Sequence, residues 1–217
     1  MDTQTNILAI LERYGAVITD SHIVYTSGKH GSTYINKDAV YPHPHIISHL
    51  CELIAEYFAS YHVEVEIVVA PAIGGVILSN RIAEHLYSLT NFRVLGIYAE
   101  KSEDNETFII KRGYDKLIPG RKVLVVEDVL TTGGSVKKVV EAVRNLDGKV
   151  VGVGAICNRG GVKPEDIGNV PKLFSLVNVN LDAWDKEECP LCKQGVPINI
   201  EVGKGREYLA KKGIKTE

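Results

Sequence analysis

Glu127 and Asp128 stand side by side, directly after the apolar run Val123 to Val126 and directly before Thr131-Thr132-Gly133-Gly134-Ser135. Four apolar residues, three of them β-branched, read as a strand buried on both faces. Beyond Ser135 the apolar residues take helical spacing, with Val136, Val139, Val140 and Val143 on one face. The expected order is therefore strand, acidic tip, small-residue loop, helix. Such a loop directs several backbone N–H groups at one point, and the helix N-terminus adds partial positive charge, which together bind a phosphate. Glycines let the backbone approach the anion. Carboxylates accept hydrogen bonds from vicinal hydroxyls. The combination points to a ribose 5-phosphate, its phosphate in the loop and its 2- and 3-hydroxyls on Glu127 and Asp128. No G-x-x-x-x-G-K-[ST] and no G-x-G-x-x-G between strand and helix occurs, which sets aside the triphosphatase and dinucleotide loops.

The elements that must position this loop follow from the rest of the pattern. Residues 5–14 carry an amphipathic helix. Ile23–Tyr25 and Thr33–Asn36 read as short antiparallel strands joined by a polar loop, and a helix is expected from about His45 to Tyr61. From Glu66 onward strands and helices alternate: strand Ile67–Ala70, helix Val76–Leu89, strand Arg93–Glu100, the opening strand and its helix, then strands Val150–Cys157 and Lys172–Val179. Alternation of this kind gives a mainly parallel α/β sheet with helices on both faces. Ligands bind at the carboxyl ends of such strands. Loops 71–75, 98–113, 127–135 and 157–162 all fall at that edge. The expected organisation is an N-terminal helix and small hood with the first core helix over residues 1–64, an α/β core over 65–180, and a tail over 181–217, folded as one unit.

Composition narrows the class. The chain has 217 residues, a net charge of −2 and 45% hydrophobic residues, and a pI near 6.4. There is no basic surplus for nucleic acid. No apolar run reaches the roughly 20 residues that span a bilayer. Four cysteines make no disulfide framework at this length. These features predict a soluble cytoplasmic protein.

The segment Val123–Ser135 resembles the phosphoribosyl-diphosphate (PRPP) motif of the type I phosphoribosyltransferases. The resemblance narrows when flanking pieces are added in order: SGKHGSTYINKDA, APAIGG after the first core strand, YAEK after the second, CNRGG after the fourth, and the tail ECPLCKQGVP. Across roughly residues 5–200 they are similar to orotate phosphoribosyltransferases. That family implies transfer of a phosphoribosyl group from PRPP to orotate, the type I fold with an N-terminal hood, a Mg²⁺ ion held mainly by substrate and water near Glu127 and Asp128, and a homodimer whose active sites are completed by the neighbouring subunit. It implies that PRPP is bound by Ala72, Ile73, Gly74 and Gly75, by Lys101, by Glu127 and Asp128, and by Val129, Leu130, Thr131, Thr132, Gly133, Gly134 and Ser135. Lys101 and Asp128 are the expected catalytic residues. Orotate falls to Thr131, Arg159 and Tyr34, with Ile35 beside Tyr34. An arginine fork suits a carboxylate.

This chain departs from the family pattern in three places. Thr26 and Gly74 stand where a lysine is common. The segment Ser102–Thr107, expected to be part of a mobile loop, holds three acids and no base. Lys29, Lys111 and Arg112 are candidates to replace the missing charge. Two other readings fit the same motif: a purine phosphoribosyltransferase, and a PRPP-sensing module without turnover. Cys189-Pro190-Leu191-Cys192 has the spacing of half a zinc site, but with no second cysteine pair it reads as a close turn. His43, His45 and His49 read as surface.

Overall fold

The computed structural model describes every residue except 1, 2, 26, 62, 63, 105, 180 and 215–217, and the side chains of 3–5 also lie outside it. The chain divides into two compact units, residues 43–179 and residues 1–42 together with 180–217.

In the larger unit the elements run α2 (Pro44–Ser60), β5 (Ile67–Pro71), α3 (Val76–Thr90), β6 (Leu95–Lys101), β7 (Phe108–Ile109), β8 (Lys122–Leu130), α4 (Gly134–Asn145), β9 (Lys149–Asn158) and β10 (Leu173–Asn178). The numbering starts from the smaller unit, which holds α1 (Thr3–Arg13), β1 (Val17–Ile18), β2 (Ile23–Val24), β3 (His30–Gly31) and β4 (Tyr34–Ile35), and near its other end α5 (Pro190–Lys193) and α6 (Gly205–Lys211). One six-stranded sheet has the order β10-β9-β8-β5-β6-β7. The first five strands are parallel, and β7 closes the edge antiparallel to β6. Parallel strands need crossovers, and the helices supply them.

One face of the sheet buries Ile67, Val69, Val123, Val125, Val153 and Ala155 against the helical stripe Val136, Val139, Val140 and Val143. The valine spacing thus did place α4 on the sheet. The other face carries α2 and α3. There β9 presents Gly152 and Gly154, where a Cβ would come within 2.6 Å of Phe58 Cε1 and 2.8 Å of Ile54 Cγ2. Likewise a Cβ on Gly96 of β6 would come within 2.9 Å of the Cα of Asn80 in α3. The helices sit close because these positions have no side chain. α2, expected as the first core helix, packs in this unit.

Three expectations change. The strand carrying the acids does not stop at Val126. β8 continues to Leu130, paired with β9 through Val129↔Cys157 and Leu130↔Asn158, so Glu127 and Asp128 are strand residues rather than a tip. Residues 23–25 and 33–36 do hold strands, but not as partners. β2 pairs with β3 and β1 with β4, because the turn at Ser27–Lys29 folds β2 back on the nearer residues. The segment 98–113 is not an open loop among its described residues. β6 and β7 form a hairpin through Glu100↔Ile109 and Lys101↔Phe108, since Phe108 and Ile110 have apolar side chains to bury. Thr26 and Asn105, which the family comparison singled out or spanned, lie outside the described residues.

Ile54 is fully buried and lies over Gly154 of β9. Ile54→Ala leaves a cavity that a close-packed sheet cannot collapse, and we expect a loss of about 2–5 kcal/mol. Urea unfolding followed by circular dichroism reads this directly.

Candidate functional site

The carboxyl ends of β5, β6, β8 and β9 share one edge of the sheet, as their parallel pairing requires. Across that edge the order is the loop after β9, the loop after β8, the loop after β5, and the end of β6. Adjacent strands lie about 4.8 Å apart, so groups from neighbouring loops can contact one ligand.

The loop after β8 encloses a cleft of about 120 Å³ lined by Glu127, Val129, Leu130, Thr131, Thr132, Gly133, Gly134, Ser135 and Val136. Gly133 adopts φ +76°, and a Cβ there would meet Ile167 Cγ2 at 2.5 Å. Both the backbone conformation and the space demand glycine. Gly133 turns the chain into α4, and its carbonyl accepts the Lys137 N–H at 2.8 Å. The first N–H groups of a helix have no partner within it, and here they open onto the cleft. Thr131, Thr132, Gly134 and Ser135 are exposed, as an anion site requires.

The two acids take different places. Glu127 lines the cleft. Asp128 is its neighbour along a strand, so its side chain leaves the opposite face; it is 3% exposed. Its Oδ1 accepts the Val129 N–H at 2.7 Å, and Glu127 Oε1 accepts the Asp128 N–H at 3.1 Å.

Arg159 comes to the same cleft from β9. Its Nε donates to Thr131 Oγ1 at 3.0 Å, joining the two residues assigned to orotate. Gly160 is obligatory: a Cβ would lie 1.5 Å from the Thr131 carbonyl oxygen. The loop is closed by a residue not singled out from the sequence. Buried Asn158 donates from Nδ2 to the Val162 carbonyl at 2.9 Å and accepts the Val162 N–H on Oδ1 at 3.0 Å. An asparagine at a strand end before Arg-Gly-Gly is the signal that could have found it, because Asn side chains mimic a backbone turn. Cys157, just before it, is buried, and burial pushes its thiol up to about 11; burial likewise pushes Cys51 up to about 12. Both thiols are inert core residues.

After β5 the chain turns through Ala72, Ile73, Gly74 and Gly75 into α3. The Ala72–Ile73 peptide is cis, Ala72 N–H donates to the Ala99 carbonyl at 2.7 Å, and Ile73 is 89% exposed. A Cβ on Gly75 would lie 2.6 Å from Ala70 Cβ, so this glycine lets the helix start against the strand end.

Lys101 ends β6, exposed, two strands from the phosphate cleft. The hairpin beyond it is tied by its own polar groups. Ser102 N–H donates to the Thr107 carbonyl at 3.0 Å, and Thr107 N–H to Ser102 Oγ at 3.0 Å. The Ser102 hydroxyl donates to Asp104, and that bond, with the Glu106 N–H, holds the Asp104 carboxyl below its usual range. Of the candidate replacement cations, Arg112 forks onto Glu100 Oε1 at 2.7 and 3.1 Å, and Lys29 pairs with Asp185 at 3.6 Å in the smaller unit. Lys111 is exposed. Tyr34 and Ile35 lie in β4 of the smaller unit, half-buried and buried.

Comparison with known proteins gives this edge a family. The model of the phosphoribosyl transferase domain matches residues 36–188. Orotate phosphoribosyltransferase of Caldanaerobacter subterraneus subsp. tengcongensis is 41% identical over 192 residues, covering 88% of this chain and 93% of that protein. Orotate phosphoribosyltransferase of Thermotoga maritima is 41% identical over 199 residues, covering 92% and 98%. Among solved structures, orotate phosphoribosyltransferase from Aeropyrum pernix superposes with a TM-score of 0.64 at 22% identity, covering 79% of this chain and 93% of that one. Adenine phosphoribosyltransferase from Saccharomyces cerevisiae reaches 0.61 at 17% identity, with 79% and 99% covered, so the shared fold does not choose the base. The relatives at 41% identity do, and the chain belongs to the phosphoribosyltransferase family, among the orotate phosphoribosyltransferases.

Proposed function

We propose that this chain transfers the phosphoribosyl group of PRPP to N1 of orotate, releasing pyrophosphate and forming orotidine 5-monophosphate. The observation that carries the acceptor is Arg159, whose Nε stands 3.0 Å from Thr131 Oγ1 at the lip of the phosphate cleft. A planar base bearing a carboxylate can meet the guanidinium fork there while its ring nitrogen faces a ribose held by the next loop. The names of the relatives at 41% identity point to the same acceptor.

Each group then has a task. Backbone N–H groups of residues 131–135 hold the 5-phosphate. Glu127 accepts hydroxyl hydrogens of the ribose, and Asp128 supplies a second carboxylate from within the strand. The backbone of 72–75 holds the pyrophosphate, and Lys101 offsets the charge it gains as the C1–O bond breaks. Transfer at a sugar carbon develops oxocarbenium character, so preorganised charge at the leaving group lowers the barrier. The donor set suits Mg²⁺, a hard cation that takes carboxylate and phosphate oxygens. When bound with PRPP, it would neutralise the pyrophosphate. Glu127, which lines the cleft, is the residue that would hold it, in part through water. Tyr34 is assigned to the base through the family resemblance, as is a homodimer in which the neighbouring subunit completes the site. No described helix is long and apolar enough to cross a membrane.

Orotate absorbance should fall only when chain, PRPP and Mg²⁺ are all present, with no consumption of hypoxanthine or adenine. Lys101→Ala should lower kcat by roughly 10²-fold with little change in KM for orotate. Arg159→Ala should raise KM for orotate by roughly 10- to 100-fold, the loss of a charge-assisted hydrogen bond worth about 1.5–3 kcal/mol. A chain that binds PRPP by calorimetry yet turns over no base would overturn the enzyme reading in favour of a sensing module. Gly133→Ala tests the phosphate loop separately. A Cβ cannot fit beside Ile167 at positive φ, so ribose 5-phosphate binding should be lost while the thermal transition stays cooperative.

A further inference from the structure

The smaller unit brings together four side chains that the reaction does not use. His22 precedes β2, His30 lies in β3, and Cys189 and Cys192 flank the first turn of α5. Their ligand atoms all lie within 4.8 Å of one another. His22, His30 and Cys189 are 2%, 0% and 0% exposed, and Cys192 is half-buried. The sequence showed only half of such a site, because the histidines lie more than 150 residues from the cysteines they meet.

We infer that His22, His30, Cys189 and Cys192 form a closed structural site for a tetrahedral divalent metal of zinc type, distinct from the magnesium that accompanies PRPP.

The geometry is specific. Sγ of Cys189 and of Cys192 each lie 3.6 Å from His22 Nε2, and Cys192 Sγ lies 3.4 Å from His30 Nδ1. A tetrahedron with Zn–S near 2.3 Å and Zn–N near 2.0–2.1 Å has N···S edges of about 3.5 Å. His22 Nε2 and His30 Nδ1 are 2.8 Å apart, and a metal would separate them by about half an ångström. The outer contacts orient the ligands. His22 Nδ1 donates to the Val196 carbonyl at 2.7 Å, which fixes the tautomer and leaves the Nε2 lone pair facing the cluster. A backbone carbonyl on the far nitrogen is the usual support of a metal-bound histidine. His30 Nε2 is buried with no hydrogen-bond partner, and its ring packs edge-on against Tyr208 at 5.1 Å between centroids.

Two imidazoles and two thiolates, with no ligand position left open, make a structural centre rather than a catalytic one. Soft sulfur excludes Mg²⁺. Each cysteine gives its proton to solvent as its thiolate binds. The unit has reason to need such a staple. Its sheets are two-stranded ribbons of two-residue strands, too small to be stable alone. Its two chain segments meet through backbone pairs such as His30 with Trp184 and Asn199 with His22. A metal is one of the few devices that stabilise so small a core.

The test is independent of turnover. The untagged full-length chain, purified without added metal, is analysed by plasma mass spectrometry. It is then stripped and reloaded with Co²⁺. The expected result is about one zinc per chain, lost in Cys189→Ser and Cys192→Ser but kept in Cys192→His, which preserves a ligand. Cobalt should give tetrahedral visible bands with sulfur charge transfer in the wild-type chain, a readout that stands even if the serine variants fail to fold. A wild-type chain free of metal that takes up neither Zn²⁺ nor Co²⁺ overturns the inference. So does metal retained in full by folded serine variants, or a cobalt spectrum without sulfur ligation.

Discussion

Everything at the ligand edge depends on the register between β8 and β9. Leu130 pairs with Asn158, so the next residue of each strand, Thr131 and Arg159, emerges beside the other. A slip of one residue would turn every side chain of β9 to the opposite face. Arg159 would leave the cleft, and Gly160 would no longer lie under the Thr131 carbonyl. The register is itself corrected along the way. Val123 pairs with Val150 but Leu124 with Gly152, so β9 holds one extra residue at its start. That irregularity sets the parity that turns Gly152 and Gly154 toward Ile54 and Phe58. The same small shift therefore seats α2 on one side of the sheet and aims Arg159 at its edge.

Much of this was legible in the residues. Alternating strands and helices gave the parallel sheet, and the valine spacing of α4 and the Thr-Thr-Gly-Gly-Ser loop survive unchanged in the structure. What escaped was decided by partners far along the chain. Whether Glu127 and Asp128 form a tip or extend a strand depends on Cys157 and Asn158 being there to pair with Val129 and Leu130. Whether 98–113 is a loop depends on a hydrophobic pocket for Phe108 and Ile110. The reciprocal bonds of Asn158 and the meeting of His22 with Cys189 are likewise facts of three dimensions. Local pattern identifies elements; it does not identify what they meet.

The charge near the proposed pyrophosphate end is arranged differently from the family pattern. Arg112 is present but its guanidinium is satisfied by Glu100, with side-chain exposures of 59% and 29%. Exposed pairs of this kind hold together by about 1 kcal/mol or less, weak against a doubly charged anion. The hairpin thus holds its cation beside an acid without committing it, while the acidic tip at 102–107 adds negative charge beyond Lys101. Electrostatics at this end rest on few positive groups, and each of those counts for more.

The smaller unit is built from residues 1–42 and 180–217, with the whole α/β unit between them. During synthesis the first of these segments leaves the ribosome long before the second. Domains generally fold as units in the order they are made, but here the earliest residues hold both partners of each ribbon and must still wait for the last segment, which bridges His22 with Ile198 and His30 with Trp184. The unit that bears Tyr34 is therefore complete only when the last residues of the chain have been made, after every strand of the sheet.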